Sequence, residues 1–325
     1  MYQILTVAKK EYGDALRNYV FVIFLSFLII LTGVSLYVGA INFQAKVSLF
    51  ETTYQTIITS GQSASSLERP EFFPLQLLRA SIEYFEIIGA ILAISLGYLS
   101  IAKEKGNNIL PLIFTRPLTR ARYYLGKLLG NLAVLSSVCT ILFVGIIGVL
   151  MLVGGVHLSS IEIVKILLAA GVTLGYFCIF FLFAALCTIL MRFPSNALIL
   201  CFVIWLFFVL VVPQIGDTMD TDNQVPGGFF NAIHVDKPQS KIILQQFTLY
   251  ETLRNGTEET SITKHYERLT FALLGIKDIY NGKSLRYIFF DKVWELLWLV
   301  IFLLTLGVGS TYAFARSQTL WQKVE

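Results

Sequence analysis

The chain has 325 residues, of which 56% are hydrophobic and 14% are charged, and its formal net charge is +4. A soluble domain is about 45–50% apolar and about 25% charged, so this composition excludes an ordinary soluble protein. The apolar residues form long uncharged blocks, which is the pattern that a helix in hydrocarbon requires. The small positive charge does not indicate nucleic acid as a partner.

Six blocks predict membrane-spanning helices and therefore an all-α polytopic protein. The weakest, 87–102, reaches the roughly 20 residues needed to cross a bilayer only if its helix begins near Ile82 and includes Glu83 and Glu86. The first block is too long for a signal peptide and is expected to remain as an anchor. The other five blocks are 19–41, 128–156, 166–191, 193–216 and 296–315.

The distribution of Lys and Arg predicts the orientation. Basic residues concentrate in 1–19, in 102–127, after the fourth span and in the tail, whereas the turn 154–163 has none. By the positive-inside rule both termini are cytoplasmic, in the cell membrane. The predicted divisions are a cytoplasmic helix 1–19, spans 1–5 within 20–216, an outer loop 42–81, a coupling segment 102–127, an extracytoplasmic segment 217–292, span 6 at 293–315, and a tail 316–325.

Residues 1–19 show the spacing of an amphipathic helix. One side carries apolar residues from Ile4 to Tyr19, and the other carries Lys9, Lys10, Asp14 and Arg17. We expect it to lie in the cytoplasmic interface with its basic residues towards lipid headgroups. The alternative is a polar leader without fixed structure.

The segment 217–292 is the one stretch that resembles an extramembrane domain. Residues 217–228 have loop character, while 240–254 and 262–279 have the apolar spacing of helices. Asn255 and Gly256 predict a turn between them. The expectation is a small helical cap on the outer face.

Catalytic and metal-binding patterns are missing from the sequence. His157, His234 and His265 have no Cys or carboxylate at ligand spacing, and the four cysteines lie within apolar blocks. The best match to a P-loop ends in Gly282-Lys283-Ser284, but Lys277 stands where its first glycine is required. We therefore expect no metal site, no enzyme activity and no ATP site in this chain.

The segment 103–127 between spans 2 and 3 is the most informative. A charged helix end leads to a turn at 106–108 and a short apolar helix at 109–114. Arg116 and Pro117 break that helix, and Thr119 can cap the next one. A short helix held along the membrane can fill a groove on a soluble partner, so that force on the partner passes into spans 2 and 3.

This segment resembles the permease subunits of ABC-2 type ATP-binding-cassette transporters. Residues 117–120, Pro-Leu-Thr-Arg, match the family's Pro-Val-Ser-Arg, and 125–127, Leu-Gly-Lys, follow at the family's spacing. Glu104 stands where the family has an acidic residue. Two positions depart from the pattern: Asn108 replaces the family's glycine, with Gly106 two residues earlier, and Pro111 stands where a polar residue is common. Read without the resemblance, the segment is an ordinary basic loop.

The resemblance implies a permease that works as a dimer, with itself or a paralogue, beside two copies of an ABC ATPase that binds ATP and Mg²⁺. It implies export of an amphiphilic substrate. Residues 110–114 would dock the ATPase, Glu104 and Arg120 would orient that contact, and Gly126 and Lys127 would mark the start of span 3. The full predicted coupling set is Glu104, Gly106, Leu110, Leu112, Ile113, Phe114, Pro117, Thr119, Arg120, Gly126 and Lys127.

Other interpretations remain open at this point. Glu83 and Glu86 could face a substrate path, or they could be interfacial groups with Arg79 paired to Glu83. The long outer segment would also suit an ABC-type accessory protein that acts on an extracytoplasmic partner, such as a metalloenzyme under maturation. A channel or receptor unrelated to ABC transporters is the third alternative.

Overall fold

The computed structural model describes residues 2–60, 73–106, 113–115, 118–219, 229–235, 239, 242–244 and 246–316. Within these ranges the chain forms helices and turns and no β-strand. Six helices are long and apolar enough to cross a membrane, which confirms the predicted all-α polytopic fold. Named span 1 to span 6, they are Tyr19–Thr59, Pro74–Lys105, Arg120–Leu152, Ser160–Leu190, Pro194–Gly216 and Val293–Arg316.

Further helices lie before span 1 and between spans 5 and 6. The N-terminal helix is Tyr2–Leu16, as the amphipathic pattern predicts. The helix of span 5 continues to Met219. The segment between spans 5 and 6 contains Phe229–Ala232, Thr248–Glu259, Ile262–Leu274, the 3₁₀ turn Asp278–Tyr280 and Leu285–Asp291.

Local sequence explains where several spans begin. The Asn18 side chain accepts hydrogen bonds from the first amides of span 1, and Thr119 does the same for span 3, as predicted. Span 4 begins with a capping box in which Ser159 and Glu162 satisfy each other's amides. Pro194 stands in the first turn of span 5, where its missing amide costs no hydrogen bond.

Span 1 is much longer than its apolar block. At 41 residues its helix extends about 60 Å, twice the roughly 30 Å of hydrocarbon. The prediction of a loop beginning at residue 42 is therefore wrong, because the helix continues to Thr59 through polar residues that are compatible with helix outside the bilayer. Gln44 on this extension donates to the Val153 carbonyl at 2.6 Å and so ties it to the end of span 3.

Span 2 begins upstream of its apolar block and includes both glutamates, as expected. It starts as a 3₁₀ turn at Pro74–Leu78 and contains a π-helical segment at Phe85–Gly89. A π-helical segment disturbs the regular hydrogen-bond ladder and leaves carbonyls for other donors. The Tyr176 hydroxyl of span 4 donates to the Glu86 carbonyl at 2.8 Å.

The bundle has two ends. The junction end contains the N-terminal helix, the last turns of spans 2, 4 and 6 and the first turns of spans 3 and 5. The opposite end receives the segment between spans 5 and 6. Within it, Thr248–Glu259 and Ile262–Leu274 form an antiparallel pair, called the hairpin below.

The hairpin corrects two sequence predictions. Its first helix runs through Asn255 and Gly256, so the turn predicted there lies instead at Thr260 and Ser261. Its second helix ends at Leu274 rather than at 279, because Gly275 adopts a left-handed φ of 66° that terminates it. The predicted loop at 217–228 lies largely outside the described residues.

The tip of the hairpin lies deep in the bundle. The buried Ser261 hydroxyl donates at 2.6 Å to the carbonyl of Phe208, within a π-helical segment near the middle of span 5. Tyr266 stacks on Tyr176 of span 4 at 4.2 Å between ring centroids, and its hydroxyl lies 3.0 Å from that of Thr173. The segment is helical as expected, but its tip packs at mid-depth among the spans instead of resting on their outer ends.

Candidate functional site

The candidate site is the junction, where the N-terminal helix crosses spans 2 and 3 at the segment 103–127. Two glycines one turn apart on span 3 allow this crossing. A Cβ added at Gly126 would lie 2.9 Å from the Ile4 carbonyl oxygen, and one at Gly130 would lie 2.5 Å from that of Ala8. Small residues four apart are the usual means of bringing two helix backbones together in a membrane protein.

Lys127 forms the centre of the junction. Its ammonium group lies 2.9 Å from the Glu11 carboxylate and 3.0 Å from that of Glu104, and it donates to the Ser100 carbonyl at 2.6 Å. Lys127, Glu104 and Glu11 are 1%, 4% and 6% exposed. Burial of a lysine ammonium group costs its hydration free energy, and hydrogen-bonded carboxylates compensate for that loss. Together Lys127, Glu104 and Glu11 join the N-terminal helix, span 2 and span 3.

Glu104 collects further donors. The Tyr123 hydroxyl of span 3 donates to its carboxylate at 2.5 Å, and Lys10 approaches the same oxygen at 3.1 Å. Burial alone would lower the pKa of Lys10, but the adjacent Glu104 and Glu11 carboxylates outweigh it and the pKa is raised. Lys10 is therefore a cation at neutral pH. The sequence predicted that it would face lipid headgroups, but its ammonium group is directed towards Glu104 of span 2.

An aromatic contact links the coupling segment to span 6. Phe114 packs edge-on against Tyr123 with ring centroids 5.6 Å apart, and Tyr124 stacks on Phe314 at 4.7 Å. The Arg120 guanidinium donates to the Ala315 carbonyl at 3.2 Å. Ile113 also packs on this cluster, so both described apolar residues of the predicted docking helix are half-buried against their own protein.

Span 2 is tied to span 4 by a second buried lysine. The Lys105 ammonium donates to the carbonyls of Thr188 at 3.2 Å and Ile189 at 3.3 Å, and to that of Met191. These are among the final carbonyls of span 4, which have no amide partner within their helix and carry the negative end of its dipole. Lys105 thus fixes the end of span 2 from which the coupling segment departs.

The predicted coupling residues meet here only in part. Glu104, Phe114, Arg120, Gly126 and Lys127 belong to one connected set of contacts, and Gly106 is the last residue of the α-helical stretch Ala90–Gly106. The predicted turn at 106–108 lies largely outside the described residues, as do most of the helix predicted at 109–114 and residues Leu110, Leu112 and Pro117. The docking role of this set remains a prediction.

The predicted substrate-path glutamates lie elsewhere, towards the hairpin end. Glu83 pairs with Arg79 at 3.0 Å, the interfacial pairing considered from sequence, and both side chains are largely exposed. Glu86 is 8% exposed within the π-helical segment of span 2. Their role in a substrate path stays a prediction.

Sequence reasoning missed Glu11, Tyr123 and Lys105. Glu11 lies on the side of the N-terminal helix that packs on span 3, where a helical projection places it among apolar residues. The spacing Gly126-x-x-x-Gly130 was the available signal, since it indicates a close helix crossing. Nothing in the sequence pairs Glu11 with a lysine 116 positions away.

Comparison with known proteins agrees with this architecture. Residues 5–318 match the family model described as ABC-2 family transporter protein. A comparison with curated proteins finds no matching sequence. The matched range covers most of the N-terminal helix, all of spans 1–5, the hairpin and span 6, so it rests on the whole fold rather than on one motif. The chain therefore belongs to the ABC-2 family of transporter proteins.

Proposed function

We propose that the chain is the permease subunit of an ABC-2 type exporter, driven by ATP hydrolysis in a separate ABC ATPase. The observation that carries this proposal is the junction around Lys127. It lies at the end of the bundle where the segment 107–117 connects spans 2 and 3, and the contacts there join the adjoining ends of these spans to the N-terminal helix, span 4 and span 6.

The contacts suggest how a push on the segment reaches the spans. Glu104 and Lys105 lie at the end of span 2, before the segment, and Tyr123 and Lys127 lie at the start of span 3, after it. Because the carboxylate of Glu104 bonds to both Tyr123 and Lys127, the ends of the two spans move together. The N-terminal helix, bonded through Glu11, moves with them. Residues 110–114 make the docking contact, with ATP and Mg²⁺ bound by the ATPase.

The transport unit is a dimer that this chain forms with a second copy of itself or with a paralogue. Both termini of the chain are cytoplasmic. The cargo is amphiphilic, as the resemblance to exporters of this family implies. Lys and Arg at the junction end support this orientation, as does the family's general pairing with an ATPase.

The structure weakens the rival function on an extracytoplasmic partner. That interpretation rested on the long outer segment 217–292, yet Ser261 and Tyr266 of this segment are fully buried among the spans. Membership of the ABC-2 family argues against an unrelated channel or receptor.

Co-purification from the native membrane tests the proposal. The tagged full-length chain should bring down a stoichiometric ABC ATPase, and Leu110→Asp should lose it because a charge in the docking contact is desolvated. Phe114→Asp is a poorer probe, since Phe114 packs on Tyr123 and the change would also disturb the fold.

Leu152→Asp supplies the matched control. Leu152 is 87% exposed at the other end of span 3, so the same change there should leave the ATPase bound. Recovery of no ATPase with the wild-type chain would refute the coupling to a separate ATPase. Equal recovery with Leu110→Asp and wild type would refute the docking position.

A further inference from the structure

An apolar cavity lies at the tip of the hairpin. Its volume is about 210 Å³, and it is lined by spans 4, 5 and 6 together with the turn between the two hairpin helices. The lining includes Phe183 of span 4, Ile204 and Phe208 of span 5, Ile262 of the hairpin, and Phe302 and Leu306 of span 6.

The lining admits hydrocarbon and little else. Apart from Thr260 at the tip turn, the side chains that line the cavity are aliphatic or aromatic. An apolar cavity of about 150 Å³ stays dry and binds benzene or xenon, because water finds too few hydrogen-bond partners in it. A void of this size left empty also forfeits the dispersion contacts of its walls.

The surroundings indicate where an occupant comes from. Five of the side chains that line the cavity are only half-buried, which leaves the cavity accessible from the surface of the spans: Phe183, Ile204, Phe208, Phe302 and Leu306. All five lie within spans 4, 5 and 6, whose windows are uncharged enough to face hydrocarbon. Val203 and Leu304, on other faces of spans 5 and 6, are each 60% exposed. The surface beside the cavity is therefore the surface that meets the acyl chains of the bilayer.

We propose that one acyl chain of a bilayer lipid inserts between spans 5 and 6 and fills this cavity. The chain packs on Phe208 and Ile262 and so holds the hairpin tip at mid-depth. The cavity is lined by residues of one copy of the protein and offers no charged group for a headgroup, which favours a lipid tail over an amphiphilic cargo recognised by its polar part. This inference is independent of the ATPase partner.

Photolabelling in nanodiscs tests the proposal. The full-length protein is reconstituted in phosphatidylcholine that carries a diazirine at the middle of one acyl chain, irradiated, and digested for mass spectrometry. Labelling should concentrate on Phe302, Leu306 and the span 5 residues beside Phe208. Leu306→Trp should reduce it there to background, whereas Leu304→Trp, the same change on the exposed side of the same turn, should leave it unchanged.

A second pair of variants guards against misfolding of the first. Ile204→Phe fills the cavity from span 5, and Val203→Phe places the same ring on the adjacent exposed position. Labelling spread evenly over the exposed faces of the wild-type spans, or unchanged by either filling variant, would overturn the proposal. A disulfide between two copies through Leu306→Cys would also overturn it, because the occupant would then be a second copy.

Discussion

The Lys127 ammonium group lies 2.9 Å from the Glu11 carboxylate, although the two residues are 116 positions apart. One belongs to the third span and the other to the N-terminal helix. Glu104 of span 2 completes the arrangement at 3.0 Å from Lys127. The three residues join the N-terminal helix, span 2 and span 3, and the stability of this junction depends on their charges.

Replacement of the lysine should be strongly destabilising. Lys127→Met leaves Glu11 and Glu104 buried without their central cation, and removal of one partner of a buried pair costs about 3–5 kcal/mol. The midpoint temperature of thermal unfolding in detergent should fall by a correspondingly large amount. Adding Glu11→Gln and Glu104→Gln should restore part of the loss, since no uncompensated charge then remains.

The exposed pair Arg79–Glu83 provides the control. The two side chains are 67% and 47% exposed, and such pairs contribute about 0–1 kcal/mol. Arg79→Met should therefore shift the midpoint little. If Lys127→Met is no more harmful than Arg79→Met, the junction is not buried as described.

Contact between the N-terminal helix and span 3 should tolerate no added methyl group. In Gly130→Ala the new Cβ would lie 2.5 Å from the Ala8 carbonyl oxygen, so the N-terminal helix must move away from span 3. This displacement should lower the stability of the protein by about 1–3 kcal/mol. Trypsin should then cleave after Arg17 faster than in the wild-type protein. Gly145→Ala on the same span meets nothing within 4 Å, and its cleavage rate should equal that of wild type. Equal rates for both variants would contradict the close crossing.

The hydrogen bond from Ser261 to the Phe208 carbonyl helps to hold the hairpin tip among the spans. Ser261→Ala leaves the Phe208 carbonyl without its donor, which costs about 1–3 kcal/mol. Amide hydrogen exchange of Ile262–Leu274 should accelerate accordingly. Thr252→Ala removes an exposed hydroxyl that bonds within its own helix. It should change the opening free energy obtained from amide exchange by less than about 0.5 kcal/mol. Unchanged exchange in Ser261→Ala would place the tip outside the bundle.

Local signals predicted much of the fold. Six apolar blocks correspond to the six spans, the Thr119 cap begins span 3, and Arg79 meets Glu83 one helical turn away. Each of these depends on residues close in sequence. The motif at 117–127 likewise identified the family, to which the chain belongs.

Long-range packing accounts for what the sequence did not reveal. Glu11 lies on the apolar side of the N-terminal helix, but its partner Lys127 is brought to it only by packing on span 3. The polar residues of the hairpin resemble a surface helix until Tyr266 meets Thr173 and Tyr176. The extension of span 1 to Thr59 has a different cause, since hydropathy marks where a bilayer ends and not where a helix does.

In the proposed mechanism the junction transmits motion from a partner ATPase to the spans. Spin labels at Leu152→Cys, an exposed site at the far end of span 3, test this transmission by the distance between the two copies of the proposed dimer, with the ATPase bound. We predict that a non-hydrolysable ATP analogue shifts this distance in the wild-type background and in Arg79→Met. The shift should vanish in Lys127→Met, assayed below its unfolding temperature with the ATPase still bound. An undiminished shift in Lys127→Met would show that the junction does not transmit the motion.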